Sequence, residues 1–223
     1  MPLRLADAFI LRTYPLKESD KIVSFFTREF GKCRGVARGA RRPKSKFGSL
    51  LEPLTEVRVQ YFEREGKELS NLDHCELVQS MVAGATTDLL HSLAVSVMVE
   101  VADRMLPDHE ISDAVYRLLR AVLPAIRSAD EPGVWLPLTY FLLWMVRLGG
   151  FLPQFEDDML SAEMLQRPLA ALSPAVQAGV TGEPGRRLRQ KLKWCIEDHL
   201  ESRLQSWTML ASLEPAGATE PSA

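Results

Sequence analysis

An α+β architecture, with a small five-stranded N-terminal barrel followed by an all-helical C-terminal domain, is predicted by three observations. Five short runs rich in β-branched and aromatic residues fall within the first 80 of 223 residues, the apolar period then changes from two to about 3.6, and the composition, 46% hydrophobic and 25% charged, is globular. Length favours one large domain or two small ones. The predicted division is a barrel over residues 1–80, a helical domain over 81–212 with an irregular insert at about 151–182, and a disordered tail over 213–223.

The strands are expected at residues 8–14, 22–30, 33–37, 54–61 and 68–77. Val57, Val59 and Tyr61 alternate with Arg58 and Gln60, the pattern of a strand wet on one face. Turn chemistry separates the runs at residues 15–20, 30–32 and 65–67. Closure into a barrel hides sheet edges that five short strands would otherwise expose. Residues 38–53 are too long for a tight hairpin and read as a short helix or an ordered loop.

Helices follow at residues 87–106, with Thr87 as N-cap, at 111–126, and from Glu131 or Pro132 to Leu148, where Gly149 and Gly150 end the run. Residues 133–146 carry no charge, but 14 residues suit a buried core helix better than a membrane span. Residues 151–182 lack a clear period, and one long helix is expected over 185–210.

The formal net charge of −2 argues against a nucleic-acid partner only until it is divided along the chain. Residues 1–80 hold 15 Lys and Arg against 11 Asp and Glu, whereas residues 81–223 hold 12 against 18. Arg28, Lys32, Arg34, Arg38, Arg41, Arg42, Lys44 and Lys46 face only Glu29 within residues 28–46. A local field of that sign attracts a polyanion whatever the total charge. Gly31, Gly35, Gly39 and Gly48 would allow close approach of backbone to phosphates. Phe25, Phe26, Phe30 and Phe47 offer either core packing, the better reading for each, or base stacking. A second basic run, Arg186, Arg187, Arg189, Lys191 and Lys193, opens the last helix and is read as a solvated face or as a site for an acidic partner.

Catalytic patterns are not found. His74, His91, His109 and His199 are scattered without metal-ligand spacing, and there is no nucleophile elbow. The segment from Gly39 to Ser45 approaches a phosphate-binding loop, but Pro43 stands where that loop needs a glycine. Glu156, Asp157 and Asp158 form the one tight acidic run, read as solvated rather than as a nuclease centre. Cys33, Cys75 and Cys195 are odd in number and far apart, which predicts free thiols and a reducing, cytoplasmic setting. Asp7 interrupts what a secretory signal would need, and no membrane association is expected.

Residues 8–64 closely resemble the N-terminal region of the RecO family of bacterial DNA repair proteins. The likeness rests on ILRT at residues 10–13, ESDKIV at 18–23, TREFGK at 27–32 and ARGARRPKS at 37–45, with DRMLPDHE at 103–110 and RLGGFLPQF at 147–155 similar further on. The resemblance implies an OB-fold, no enzymatic activity, binding of single- and double-stranded DNA, strand annealing, and action with RecR and single-stranded DNA-binding protein (SSB) so that RecA can load. It also implies that DNA meets the basic barrel face, carried onto Arg34, Arg38, Arg41, Arg42, Lys44 and Lys46, with Arg12 and Lys21 secondary. The acidic SSB tail would fit Arg186, Arg187, Arg189, Lys191 and Lys193. Many members carry a four-cysteine zinc module after the GGFLP-like segment. Residues 151–182 contain no cysteine, so no metal and no cofactor is expected, with apolar groups at 169–172 and 175–180 packing the insert instead. The alternative reading is a protein-interaction module whose basic loop reads an acidic protein surface.

Overall fold

A computed structural model describes residues 2–63, 68–80, 88–153 and 159–214. Two compact units are formed, one from residues 1–85 with 102–117, the other from 86–101 with 118–223.

In the first unit β1 (Leu3–Leu16), β2 (Asp20–Thr27), β3 (Gly31–Ala37), β4 (Glu56–Phe62) and β5 (Ser70–Gln79) close into a barrel in the order β1-β2-β3-β5-β4. All pairs are antiparallel except β3 with β5, which run parallel from Gly35 opposite Ser70 to Ala37 opposite Leu72. Alternation sends Ala8, Ile10, Val23, Phe25, Val57, Val59 and Tyr61 into the lumen, and Phe47 and Leu51 from the long β3–β4 connection join the same buried cluster. That connection holds a short 3-10 helix, Gly48–Leu51, the first of the two forms the sequence leaves open. β1 begins five residues before the predicted start, because pairing with β4 extends to Leu3 opposite Phe62 although Leu3 and Leu5 face solvent.

Residues 102–117 belong to this unit for side-chain reasons. Tyr116 packs on Phe9 and Phe26 and donates a 2.9 Å hydrogen bond to Glu56, covering aromatic groups that point out of the barrel. Asp103 accepts from Ser24 Oγ at 2.7 Å, and the His109 N–H donates to the Lys32 carbonyl at 2.9 Å. Gly31, at φ +68, lies so close to this segment that a Cβ would stand 2.3 Å from the Glu110 carbonyl oxygen. Glycine is required there on both counts.

The second unit takes most of α1 (Leu89–Met105) and α2 (Asp113–Ser128), then α3 (Trp135–Leu148), α4 (Met159–Gln166), α5 (Pro174–Thr181), α6 (Glu183–His199) and α7 (Gln205–Ala211). α3 is the buried core helix its composition predicts, and among the described residues no helix is long and apolar enough to cross a membrane. The insert is more regular than predicted. α4 and α5 bury Leu160, Met164, Val176 and Val180, and Ser173 caps α5 while its N–H and hydroxyl bind Glu163. Thr87 and the acidic run at 156–158 lie outside the described residues, as do the turn at 65–67 and the tail from 215 onward.

The long terminal helix expected over 185–210 is two helices. Glu201 takes φ +50, the Glu197 carboxylate accepts the Leu204 N–H, and Glu100 accepts the N–H groups of Gln205 and Ser206. Two carboxylates thus supply the N-terminal acceptors of α7, which lets the chain turn without stranding backbone donors.

A candidate nucleic-acid interface on the barrel

Strand register decides where the predicted cations stand. Arg12 lies opposite Ser24, and Ser24 opposite Arg34, so β1, β2 and β3 place these residues in one row on the outer wall. The row is already neutralised in part: Asp103 lies 3.6 Å from Arg12 and Asp108 3.7 Å from Arg34. Lys32 is buried between Asp108, at 3.1 Å, and the Asp103 carbonyl oxygen, at 2.7 Å. Arg28 pairs with Asp113 at 2.9 Å and Lys46 with Asp73 at 3.4 Å, and the Lys46 ammonium also lies over the Phe47 ring.

The other half of the cluster is different. Arg38, Arg41, Arg42 and Lys44 are exposed, and among the described residues none has a salt-bridge partner within 4.0 Å. They occupy the start of the β3–β4 connection, a succession of turns in which Arg42 N–H donates to Gly39 O and Ser45 N–H to Arg42 O. The β1–β2 turn is at the same end of the barrel, since Leu16 pairs with Asp20 and Lys21 with Ala37. Its exposed Lys17 adds another cation, which charge runs alone do not reveal because Glu18 and Asp20 follow it. Lys21 is half-buried beside this turn.

Between the turn, β3 and the start of β5 lies an open groove of about 610 Å³, lined by Lys17 and Arg38, by the carboxylates Asp20 and Glu68, and by Leu16 and Val36 among others. Its apolar side chains offer a face to an unpaired base, while its two cations are matched by two carboxylates, so the positive excess at this end comes from Arg41, Arg42 and Lys44 on the adjoining connection. Asp20 stays ionised, held below the usual carboxylate range first by the Gly39 N–H, then by the Ser19 hydroxyl, with Arg38 and Lys17 adding to the effect.

The aromatic groups are core, as the better of the two readings has it. Phe25, Phe26 and Phe47 are buried, and Phe30 is half-buried, edge-on to Tyr61. Gly31 and Gly35 are likewise used for packing, against Glu110 and Leu72; Gly39 lies in ordinary contact with the Arg42 side chain, and of the four glycines only Gly48 leaves open space.

On α6 the second basic run separates by burial. Arg186 and Arg187 share Glu183, Lys193 pairs with Glu197 at 2.8 Å, and Lys191 is exposed. Arg189 corrects the expectation of a partner-facing charge. Its side chain is wholly buried over the Trp135 ring, paired with Glu214 at 2.6 Å and donating to Val180 O and Thr139 Oγ1. Trp194, 65% exposed, stands on the outer face of the helix instead.

The histidines have local roles: His91 binds Asp88 and Ala129 O, His199 stacks on Phe151, and His109 approaches the Cys33 thiol. Burial pushes that thiol up to about 11, which keeps it protonated at neutral pH. Among the described residues no three His, Cys, Asp or Glu gather as metal ligands.

Comparison with known proteins agrees with this geometry. Residues 1–81 match the family model described as Recombination protein O N terminal, and residues 86–183 match Recombination protein O C terminal. The DNA repair protein RecO of Koribacter versatilis is 39% identical over 95% of this chain and all of its own length. The RecO of Streptomyces griseus is 39% identical over 70% of this chain and 65% of its own, and that of Bifidobacterium adolescentis 30% over 96% and 81%. With an OB-type barrel followed by helices, and with similarity running the full length of a curated relative, this chain belongs to the RecO family of DNA repair proteins.

Proposed function

We propose that the protein is a non-enzymatic recombination mediator that binds single- and double-stranded DNA through the end of its barrel and anneals complementary strands. It would act in the cytoplasm with RecR to help RecA load on SSB-coated DNA. The observation that carries the reading is the group of four exposed cations, Arg38, Arg41, Arg42 and Lys44, with no salt-bridge partner among the described residues, on the connection that starts beside a groove lined by Arg38 and Lys17. Such charges screen phosphates of two strands at once and so lower the repulsion that opposes pairing. Arg34, Lys46, Arg12 and Lys21 would contribute less, since three of them already face carboxylates.

The acidic SSB tail is assigned to the outer face of α6, with Arg186, Arg187, Lys191 and Lys193 around Trp194. Charge complementarity and an exposed ring support that assignment. The test of the DNA reading is single-strand affinity as a function of salt for an Arg38→Ala, Arg41→Ala, Arg42→Ala triple variant. Each lost phosphate contact removes about 0.7 from the slope of log affinity on log salt, so three remove about 2. The advantage of the unmodified protein would then shrink roughly 18-fold between 50 and 200 mM salt. An unchanged slope defeats the proposal and leaves the basic loop as a reader of protein surfaces.

A further inference from the structure

A carboxylate inside a surface meant for phosphates is an electrostatic penalty, yet Asp20, with Glu68, sits on the groove that Lys17 and Arg38 line. Its hydrogen bonds account for it. Asp20 Oδ1 accepts from the Gly39 N–H at 2.8 Å and from the Ser19 hydroxyl at 3.0 Å. Two further bonds join the same elements: Arg41 N–H donates to Ser19 O, and Arg41 Nη1 to Lys17 O, both at 2.9 Å. Gly39, at φ +68, reverses the chain where β3 ends, and the bond to Asp20 fixes that reversal. The basic connection is therefore tied across to the β1–β2 turn at three points, of which only the Asp20 bond to Gly39 has an ionised acceptor and is among the stronger kind.

We propose that Asp20 is a positioning residue for DNA binding: it clasps the Arg38–Lys44 loop to the β1–β2 turn so that the loop's cations are ordered before a strand arrives. The inference rests on the DNA-binding reading and adds a residue that charge alone would place on the wrong side of the ledger. A pre-ordered loop does not lose conformational freedom at the moment of binding, and that difference appears as affinity. Simple electrostatics makes the opposite prediction, since removal of a negative charge should strengthen binding to a polyanion.

Two variants of equal charge separate these effects. Asp20→Asn removes the charge and retains an oxygen that can accept the Gly39 N–H; Asp20→Ala removes both. Binding of a fluorescent oligothymidylate is measured by anisotropy at low salt. Tryptic cleavage within residues 38–46 is followed without DNA, and thermal melting establishes that both variants are folded. The Ala variant is expected to bind about five-fold more weakly than the Asn variant and to be cut faster in the loop by a similar factor, the scale of one lost hydrogen bond. Equal affinities for the two variants overturn the proposal, whether or not cleavage differs, and so does equal cleavage. If the unmodified protein fails to bind DNA, the functional reading falls, while the cleavage ratio still decides whether the clasp exists.

Discussion

Glu214→Ala is expected to lower the melting temperature of the helical unit by about 12 °C. The carboxylate is 5% exposed and faces a guanidinium that is wholly buried. Its removal leaves Arg189 with hydrogen bonds to Val180 O and Thr139 Oγ1 and the Trp135 ring, but without a counter-charge. Stranding one member of a buried pair costs about 3 to 5 kcal/mol. With an unfolding entropy near 2.1 cal/mol/K per residue over the roughly 120 residues of this unit, 3 kcal/mol corresponds to about 12 °C. Arg189→Met with Glu214→Ala removes both charges and lets an apolar stem fill the space under Trp135, leaving mainly the unsatisfied Val180 carbonyl, a cost of about 1 to 3 kcal/mol. The double variant should melt between the unmodified protein and Glu214→Ala. Circular dichroism melts at 0.05 and 0.5 M salt are the assay, and the loss should persist at high salt because the pair is shielded from it. A Glu214→Ala protein that melts within about 2 °C of the unmodified one refutes the argument, as does a double variant less stable than the single.

Two other predictions concern the barrel. Gly31→Ala should destabilise it by about 2 to 3 kcal/mol in chemical denaturation, through both positive φ and the Glu110 backbone, whereas Gly48→Ala, at φ +42 with nothing within 4 Å of its Cβ, should cost no more than about 1; equal losses would contradict the close-approach reading. Burial pushes the Cys33 and Cys75 thiols from about 9 up to about 11 and about 12, so both should resist a disulfide reagent at pH 8 until the protein unfolds. Because the folded values are the raised ones, their contribution to stability is intact below about pH 9 and is lost as pH rises toward 11 to 12, seen as falling melting temperatures in that window.

The barrel was legible because Val57, Val59 and Tyr61 alternate with polar residues, and the helices because their apolar residues recur with the helical period. The break between α6 and α7 was hidden for the same reason: Cys195, Ile196, Leu200, Leu204 and Trp207 keep helical spacing across it, while one of the carboxylates that terminate the run comes from Glu100. Arg189 looked like its neighbours because its counter-charge lies 25 residues downstream, in a stretch that composition assigns to a tail. In the site, the positive cluster was visible as composition, but its division into neutralised and available cations was not. That division depends on Asp73, Asp103, Asp108 and Asp113, which the sequence places from 27 to 91 residues away from the groups they pair with.

Those carboxylates explain why eight cations in 19 residues do not make a uniformly sticky barrel. Asp103, Asp108 and Asp113 all come from the segment 102–117 and meet Arg12, Lys32, Arg34 and Arg28 along the β1-β2-β3 wall and at its far turn. Positive potential is thereby withdrawn from the wall and left at the end where Lys17, Arg38, Arg41, Arg42 and Lys44 stand. The same ion pairs that fasten this segment to the barrel thus also shape the field a polyanion would meet. One set of charges is thus divided: the cations that meet Asp103, Asp108 and Asp113 fasten the segment to the barrel, and those left without a carboxylate are the ones the proposed DNA binding would use. A net charge of −2 is what that arrangement looks like when summed over the whole chain.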